Sequence, residues 1–104
     1  MIEIINMRSG EQLKLGVPVI PVDRGTALGN PFYMADETQR DKVCDQYQEY
    51  FDKKVKEKTD ERFMRELRAI YKIAKEEGGV YLACWCAPKR CHAETIKAFL
   101  EQYL

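Results

Sequence analysis

The sequence predicts an α/β domain whose small sheet holds about three mainly parallel strands. Short runs with the composition of strands stand at 2–7, 17–22 and 80–84. Stretches with apolar residues at helical spacing separate the second run from the third, and another follows the third. A strand that returns through helices to a further strand ordinarily closes a parallel crossover in one sheet. The 104 residues fit a single domain, 1–104, rather than two.

Residues 2–7, Ile-Glu-Ile-Ile-Asn-Met, read as the first strand, with a turn at Ser9-Gly10 behind it. Residues 17–22, Val-Pro-Val-Ile-Pro-Val, read as an edge or broken strand, because Pro18 and Pro21 each lack a ladder donor. Residues 23–32 hold two glycines and an Asn30-Pro31 step, the marks of an irregular loop. Gly25 and Gly29 permit positive φ or a close approach of a ligand to the backbone.

Asp36, with Gln39 three residues on, forms a capping box for a helix whose stripe is Val43, Tyr47, Tyr50, Phe51 and Val55. Asp60 caps a second helix, striped by Phe63, Leu67, Ile70, Tyr71 and Ala74 and stopped by Gly78-Gly79. The i,i+4 pairs Glu49–Lys53, Asp52–Lys56 and Glu61–Arg65 mark solvated helix faces. Residues 80–84 have the composition of a buried strand. Pro88 suits the first position of a last helix lined by Ile96, Phe99, Leu100 and Tyr103.

Lysine plus arginine total 17 and aspartate plus glutamate total 17, so no net field draws the chain to nucleic acid or an anionic membrane. No run of ~18 apolar residues offers a membrane span. The N-terminus has an early acid and no apolar core of signal-peptide length. The expected location is the cytoplasm, where thiols stay reduced. Three of the four cysteines crowd between Cys84 and Cys91, which suits a thiolate or metal site better than a disulfide framework.

Ligands in parallel sheets bind outside the carboxyl ends of the strands. The 24–32 loop leaves the second strand and the 84–92 loop leaves the third, so parallel strands would bring both to one edge. Residues 80–92 hold the only tryptophan and the only histidine as well as the three crowded cysteines. Cys84 and Cys86 share one face of extended chain, with Trp85 on the other. Cys91 and His92 are expected in the first turn of the last helix. Unpaired N–H groups at a helix start favour a thiolate and attract phosphate, and Lys89 and Arg90 add positive charge.

Four readings compete for this stretch. One is a site for a small anionic ligand such as a nucleotide, with Arg24, Gly25, Gly29 and Asn30 as the opposing wall and Trp85 or Phe32 stacking on a base. The second is a zinc or iron site using Cys84, Cys86, Cys91 and His92, although C-x-C-x4-C-H is not a common ligand pattern. The third is nucleophilic catalysis, since Cys84-x5-Arg90 has the bare cysteine-phosphatase spacing. The fourth is plain packing, the better reading for Cys84, for Cys44 beside Val43, and for Met34 and Met64. Arg40, in a first helical turn, opposes the helix dipole, which a partner or ordinary surface tolerance would explain.

Gly29-Asn30-Pro31-Phe32 preceded by Arg24-Gly25, together with Cys84-Trp85-Cys86-Ala87-Pro88 and Cys91-His92, resembles a family of bacterial and phage domains of unknown function, number 4326. The resemblance takes in Asn6, Arg40, Tyr47 and the last helix, nearly the whole chain. It implies a small three-layer Rossmann-like sheet that binds nucleotides or related ligands. It also implies a site-building set of Arg24, Gly25, Gly29, Asn30, Pro31, Phe32, Cys84, Trp85, Cys86, Pro88, Cys91 and His92. Asp23 stands where a small residue is usual, the segment between the motifs is long and charged, and Arg90 lies outside the family pattern.

The expectation is binding of a phosphate-bearing small ligand between the two loops. Cys86, Cys91 and His92 would be the catalytic centre if the ligand is turned over, with Arg24, Gly25, Gly29, Asn30, Phe32, Trp85 and Arg90 as ligand contacts. The alternative is a metal-held protein-interaction module, such as a phage protein acting on a host partner. The residues assign no cofactor.

Overall fold

Val80–Cys84 has no charged side chain, and all five residues are buried in the centre of a three-stranded sheet. The computed structural model describes residues 1–8, 13–87 and 89–104. The strands are β1 (Ile2–Asn6), β2 (Val19–Pro21) and β3 (Val80–Cys84), in the order β1-β3-β2 with both pairs parallel. Only a central parallel strand is covered on both sides and both faces, which is why β3 alone is apolar throughout.

β2 is the expected edge strand, cut short by its prolines. Its ladder to β3 runs one residue past each end, through Tyr81 N–H to the Pro18 carbonyl at 2.8 Å and Val22 N–H to the Ala83 carbonyl at 3.0 Å. Donors alternate along a strand, so the missing N–H of Pro21 faces the open edge and costs no ladder bond. The turn expected at Ser9-Gly10 lies outside the described residues.

Chain between β2 and β3 forms a 3-10 turn (Glu37–Gln39), α1 (Arg40–Glu57) and α2 (Glu61–Glu77); α3 (Ala93–Glu101) follows β3. The capping box at Asp36 is shifted from its expected form. Asp36 accepts from Thr38 N–H and Gln39 reaches back to Ala35 N–H, so a 3-10 turn precedes the α-helix. Asp60 caps α2 as expected, accepting from Phe63 N–H at 3.1 Å while paired to Lys54 at 2.8 Å. Gly78, at φ 76°, ends α2 in the left-handed conformation that favours glycine. The i,i+4 ion pairs formed along α1 and α2 are Lys53–Glu57 and Arg62–Glu66, not those expected.

The helices pack on one face of the sheet. Tyr47 and Phe51 of α1, Phe63, Leu67 and Ile70 of α2, and Ile96 and Leu100 of α3 join Ile2, Val80 and Leu82 in the main core. Ile5, Tyr81 and Ala83 line the opposite face against Met7 and Val17, so that covering layer comes from the β1–β2 connection and not from a helix. No described helix is long and apolar enough to cross a membrane. Parallel pairing of Pro21 with Ala83 and of Asn6 with Cys84 puts the carboxyl ends of all three strands at one edge.

Candidate functional site

Residues 23–32 leave that edge as two tight turns. Thr26 N–H donates to the Asp23 carbonyl at 3.0 Å, and Gly29 N–H to the Thr26 carbonyl at 3.1 Å. A Cβ at Gly29 would stand 2.3 Å from the Asp23 carbonyl oxygen and 2.6 Å from the Arg24 Cα. Glycine is therefore required for the loop to fold on its own backbone. Gly25 is exposed, with 3.7 Å of clearance to the Asp23 carboxylate, and neither glycine has positive φ.

Leu28, fully buried, anchors the loop, and its carbonyl accepts from Tyr47 Oη at 2.7 Å. Asn30 is buried, with Oδ1 accepting from Phe32 N–H at 2.9 Å. Arg24 Nη2 donates to the Phe32 carbonyl at 2.7 Å. The Phe32 ring sits edge-on to Tyr50 of α1 at 5.9 Å.

The second loop is held at both ends. Asn6 Nδ2 donates to the carbonyls of Ala87 at 2.8 Å and Trp85 at 3.2 Å. Arg40 Nη1 donates to the Arg90 carbonyl at 2.9 Å. The Arg90 guanidinium pairs with Asp41 at 3.1 Å and Asp45 at 2.8 Å, so it fastens the loop to α1. The last helix begins at Ala93, and Pro88, its expected first position, lies outside the described residues. Cys91 and His92 thus precede the helix. Glu94 Oε2 already accepts from Cys91 N–H at 3.2 Å, which puts a carboxylate where an incoming phosphate was expected.

His92 is buried, edge-on to Tyr47 at 5.1 Å, with Nε2 hydrogen-bonded to the Val22 carbonyl. A carbonyl only accepts, so Nε2 carries the proton. Burial, the largest cause, pushes the imidazole below its ordinary value and favours the neutral form. Nδ1 then keeps its lone pair.

A cavity of about 270 Å³ opens between the two loops and the start of α1. Of the residues expected at a site, Arg24, Asn30, Cys84, Trp85, Cys86, Arg90, Cys91 and His92 line it, whereas Gly25, Gly29 and Phe32 do not. Helix α1 supplies Arg40, Val43 and Cys44, which brings all four cysteines onto one cavity. Cys44 had read as a packing thiol, and Arg40 as a residue explained by a partner or by ordinary surface tolerance. Their approach depends on how α1 lies over the strand ends, which the α1 sequence does not specify.

Charges at the rim are mostly spent. Glu37 grips Arg40 with two bonds, at 2.9 and 2.8 Å, and the Arg40 guanidinium brings the Glu37 carboxyl down to about 2. Arg40 is in turn held more firmly charged, by Glu37 first and by Cys86 next. Arg24 is the one cavity arginine without a carboxylate within 4 Å among the described residues. Trp85, half-exposed at the rim, donates from Nε1 to Asp23 at 3.3 Å and lies under the Arg8 guanidinium at 5.3 Å.

Inside, Cys84 Sγ and Cys91 Sγ are 3.4 Å apart. The hydrogen bond from Cys91 favours the Cys84 thiolate, with the Cys86 and Ala87 N–H groups adding to it against the opposing effect of burial. Cys91 is pushed up, by Cys84 first and burial next. Burial also raises Cys44. Among the described residues no three His, Cys, Asp or Glu side chains converge to hold an ion, and His92 Nε2 is committed to Val22.

A family model described as Domain of unknown function (DUF4326) matches residues 5–102. The chain belongs to this family. The DUF4326 match spans β3, the three helices, both loops and every residue that lines the cavity. No curated protein and no solved structure matches the chain.

Proposed function

We propose that the protein binds a small phosphate-bearing ligand of nucleotide type in the cavity between residues 24–30 and 84–92. The observation that carries this is the meeting, on one cavity at the carboxyl edge of a parallel sheet, of polar groups with bonding capacity left over. Arg24 has no carboxylate partner, and the Asn30 side-chain NH2 has no acceptor among the described residues. Together they form a wall suited to an anionic group. Ligand sites usually enclose ~300–1,000 Å³, so a 270 Å³ cavity takes part of such a molecule and leaves the rest across the rim. Trp85 offers a π face there for a base.

If the ligand is turned over, the half-buried Cys86 beside Arg40 is the nucleophile and neutral His92, through Nδ1, the proton acceptor. Four free thiols on one cavity suit a reducing compartment, and we place the protein in the cytoplasm.

Thermal unfolding with a panel of nucleoside mono- and diphosphates, sugar phosphates and unphosphorylated nucleosides tests the reading. A binder at a hundred times its Kd stabilises by about 2.7 kcal/mol, a readily measured rise in Tm. Phosphorylated members should raise Tm in a dose-dependent way and the nucleosides should not. A flat response to every phosphorylated member would reject the proposal.

A further inference from the structure

Cys84 and Cys91 approach each other inside the cavity from two firmly held pieces of backbone. Cys84 is the last residue of β3, with its carbonyl accepting from Met7 N–H at 2.8 Å. Cys91 is fixed through its N–H to Glu94 Oε2 at 3.2 Å and through its carbonyl to Glu94 N–H, also at 3.2 Å. Their sulfurs are 3.4 Å apart, while a disulfide needs about 2.05 Å. The two side chains would have to rotate to close that gap. Both thiols are free and nearly buried, Cys84 at 1% and Cys91 at 4% exposure, and the cavity they line, which opens to solvent, is the route by which a small reagent would reach them.

We propose that Cys84 and Cys91 form a redox-active dithiol site that exchanges with low-molecular-weight disulfides entering the cavity. The site does not depend on the ligand reading above, because the chemistry needs only the two sulfurs and an entrance. Cys84 attacks one sulfur of the incoming disulfide. Its S–S bond breaks, one half leaves as a thiolate and takes up a proton, and a mixed disulfide remains on Cys84. Cys91 then loses its proton and attacks the Cys84 sulfur, releasing the second half as a thiol. The protein dithiol gives up two electrons, and the small disulfide becomes two thiols.

The roles follow from the surroundings. Cys84 is the attacking sulfur because the Cys91 thiol and the amides of Cys86 and Ala87 stabilise its thiolate. Cys91, held in its protonated form beside it, is the resolving thiol. Closure would pin the 84–91 loop, which carries Trp85 and Cys86, and would remove two thiols from the cavity wall.

The experiment treats the whole chain with 2-hydroxyethyl disulfide, blocks remaining thiols, and maps tryptic peptides without reduction. Lys89 and Arg90 let trypsin separate Cys91 from Cys84 and Cys86. The Cys91 peptide should be disulfide-linked to the Cys84–Cys86 peptide, and Cys86→Ser should leave that link intact. Cys91→Ser should instead retain a stable mixed disulfide on Cys84. Loss of the link in Cys86→Ser would overturn the assignment, as would mixed disulfides on Cys84 of the unsubstituted protein that never close, or no reaction at either sulfur. Mapping the unsubstituted chain decides between closure and its absence even if a variant fails to fold.

Discussion

The imidazole of His92, at the entry to α3, is hydrogen-bonded through Nε2 to the carbonyl of Val22, one residue past β2 and 70 residues earlier in the chain. This bond ties the two cavity loops together and fixes which ring nitrogen stays free.

Burial of the same imidazole, only partly offset by the Val22 bond, predicts a pH dependence of stability. Folded His92 binds its proton less tightly than an ordinary imidazole at 6.5. Below that value, down to the folded-state value, the unfolded chain binds more protons, so stability is full above 6.5 and falls as pH drops through it. His92→Gln keeps a donor for Val22 but cannot titrate. Urea unfolding midpoints measured between about pH 5 and 7.5 should fall at the acid end more for the parent than for the variant. Parallel curves would place the His92 proton outside the folding equilibrium.

Gly29→Ala should destabilise by about 1–3 kcal/mol, because its Cβ would meet the Asp23 carbonyl at 2.3 Å and force the loop apart. Gly25→Ala, with 3.7 Å of clearance, should stay within about 0.5 kcal/mol of the parent. Denaturant midpoints distinguish the two. Equal effects would mean that the Asp23–Gly29 contact does not set the loop.

Tyr47→Phe should cost about 1–3 kcal/mol, since it strands the buried Leu28 carbonyl at the centre of the loop that carries Asn30. Amide exchange should accelerate at residues 26–30 before it does in β3. A uniform change across the chain would mean that Tyr47 supports the core in general and not this loop.

Much of the site was legible because topology placed it. The pattern of strands and helices implied parallel strands, and parallel strands sent the two loops to one edge. Asp60 and Gly78 marked the bounds of α2 because caps are local chemistry. What escaped was decided by contacts distant in sequence. The aromatic ring of Phe32 suits a ligand or a neighbouring helix equally well, and its edge contact with Tyr50 depends on where α1 lies. Arg90 read as a free cation until Asp41 and Asp45 met it. Pro88 announced a helix that begins at Ala93, because Glu94 reaches back to Cys91 and sets the start there.

The most direct test of the account uses the chain's only tryptophan, Trp85, which stands at the cavity rim. Its fluorescence should change saturably when the chain is titrated with phosphorylated members of the nucleotide panel. Arg24→Ala should weaken that response roughly ten- to a hundredfold by removing the charge-assisted contact. Lys72→Ala, which removes an exposed cation of α2 off the cavity lining, should leave it unchanged. Saturable binding that is indifferent to Arg24, or no saturable change with any phosphorylated member, would contradict the assignment of this cavity as the ligand site.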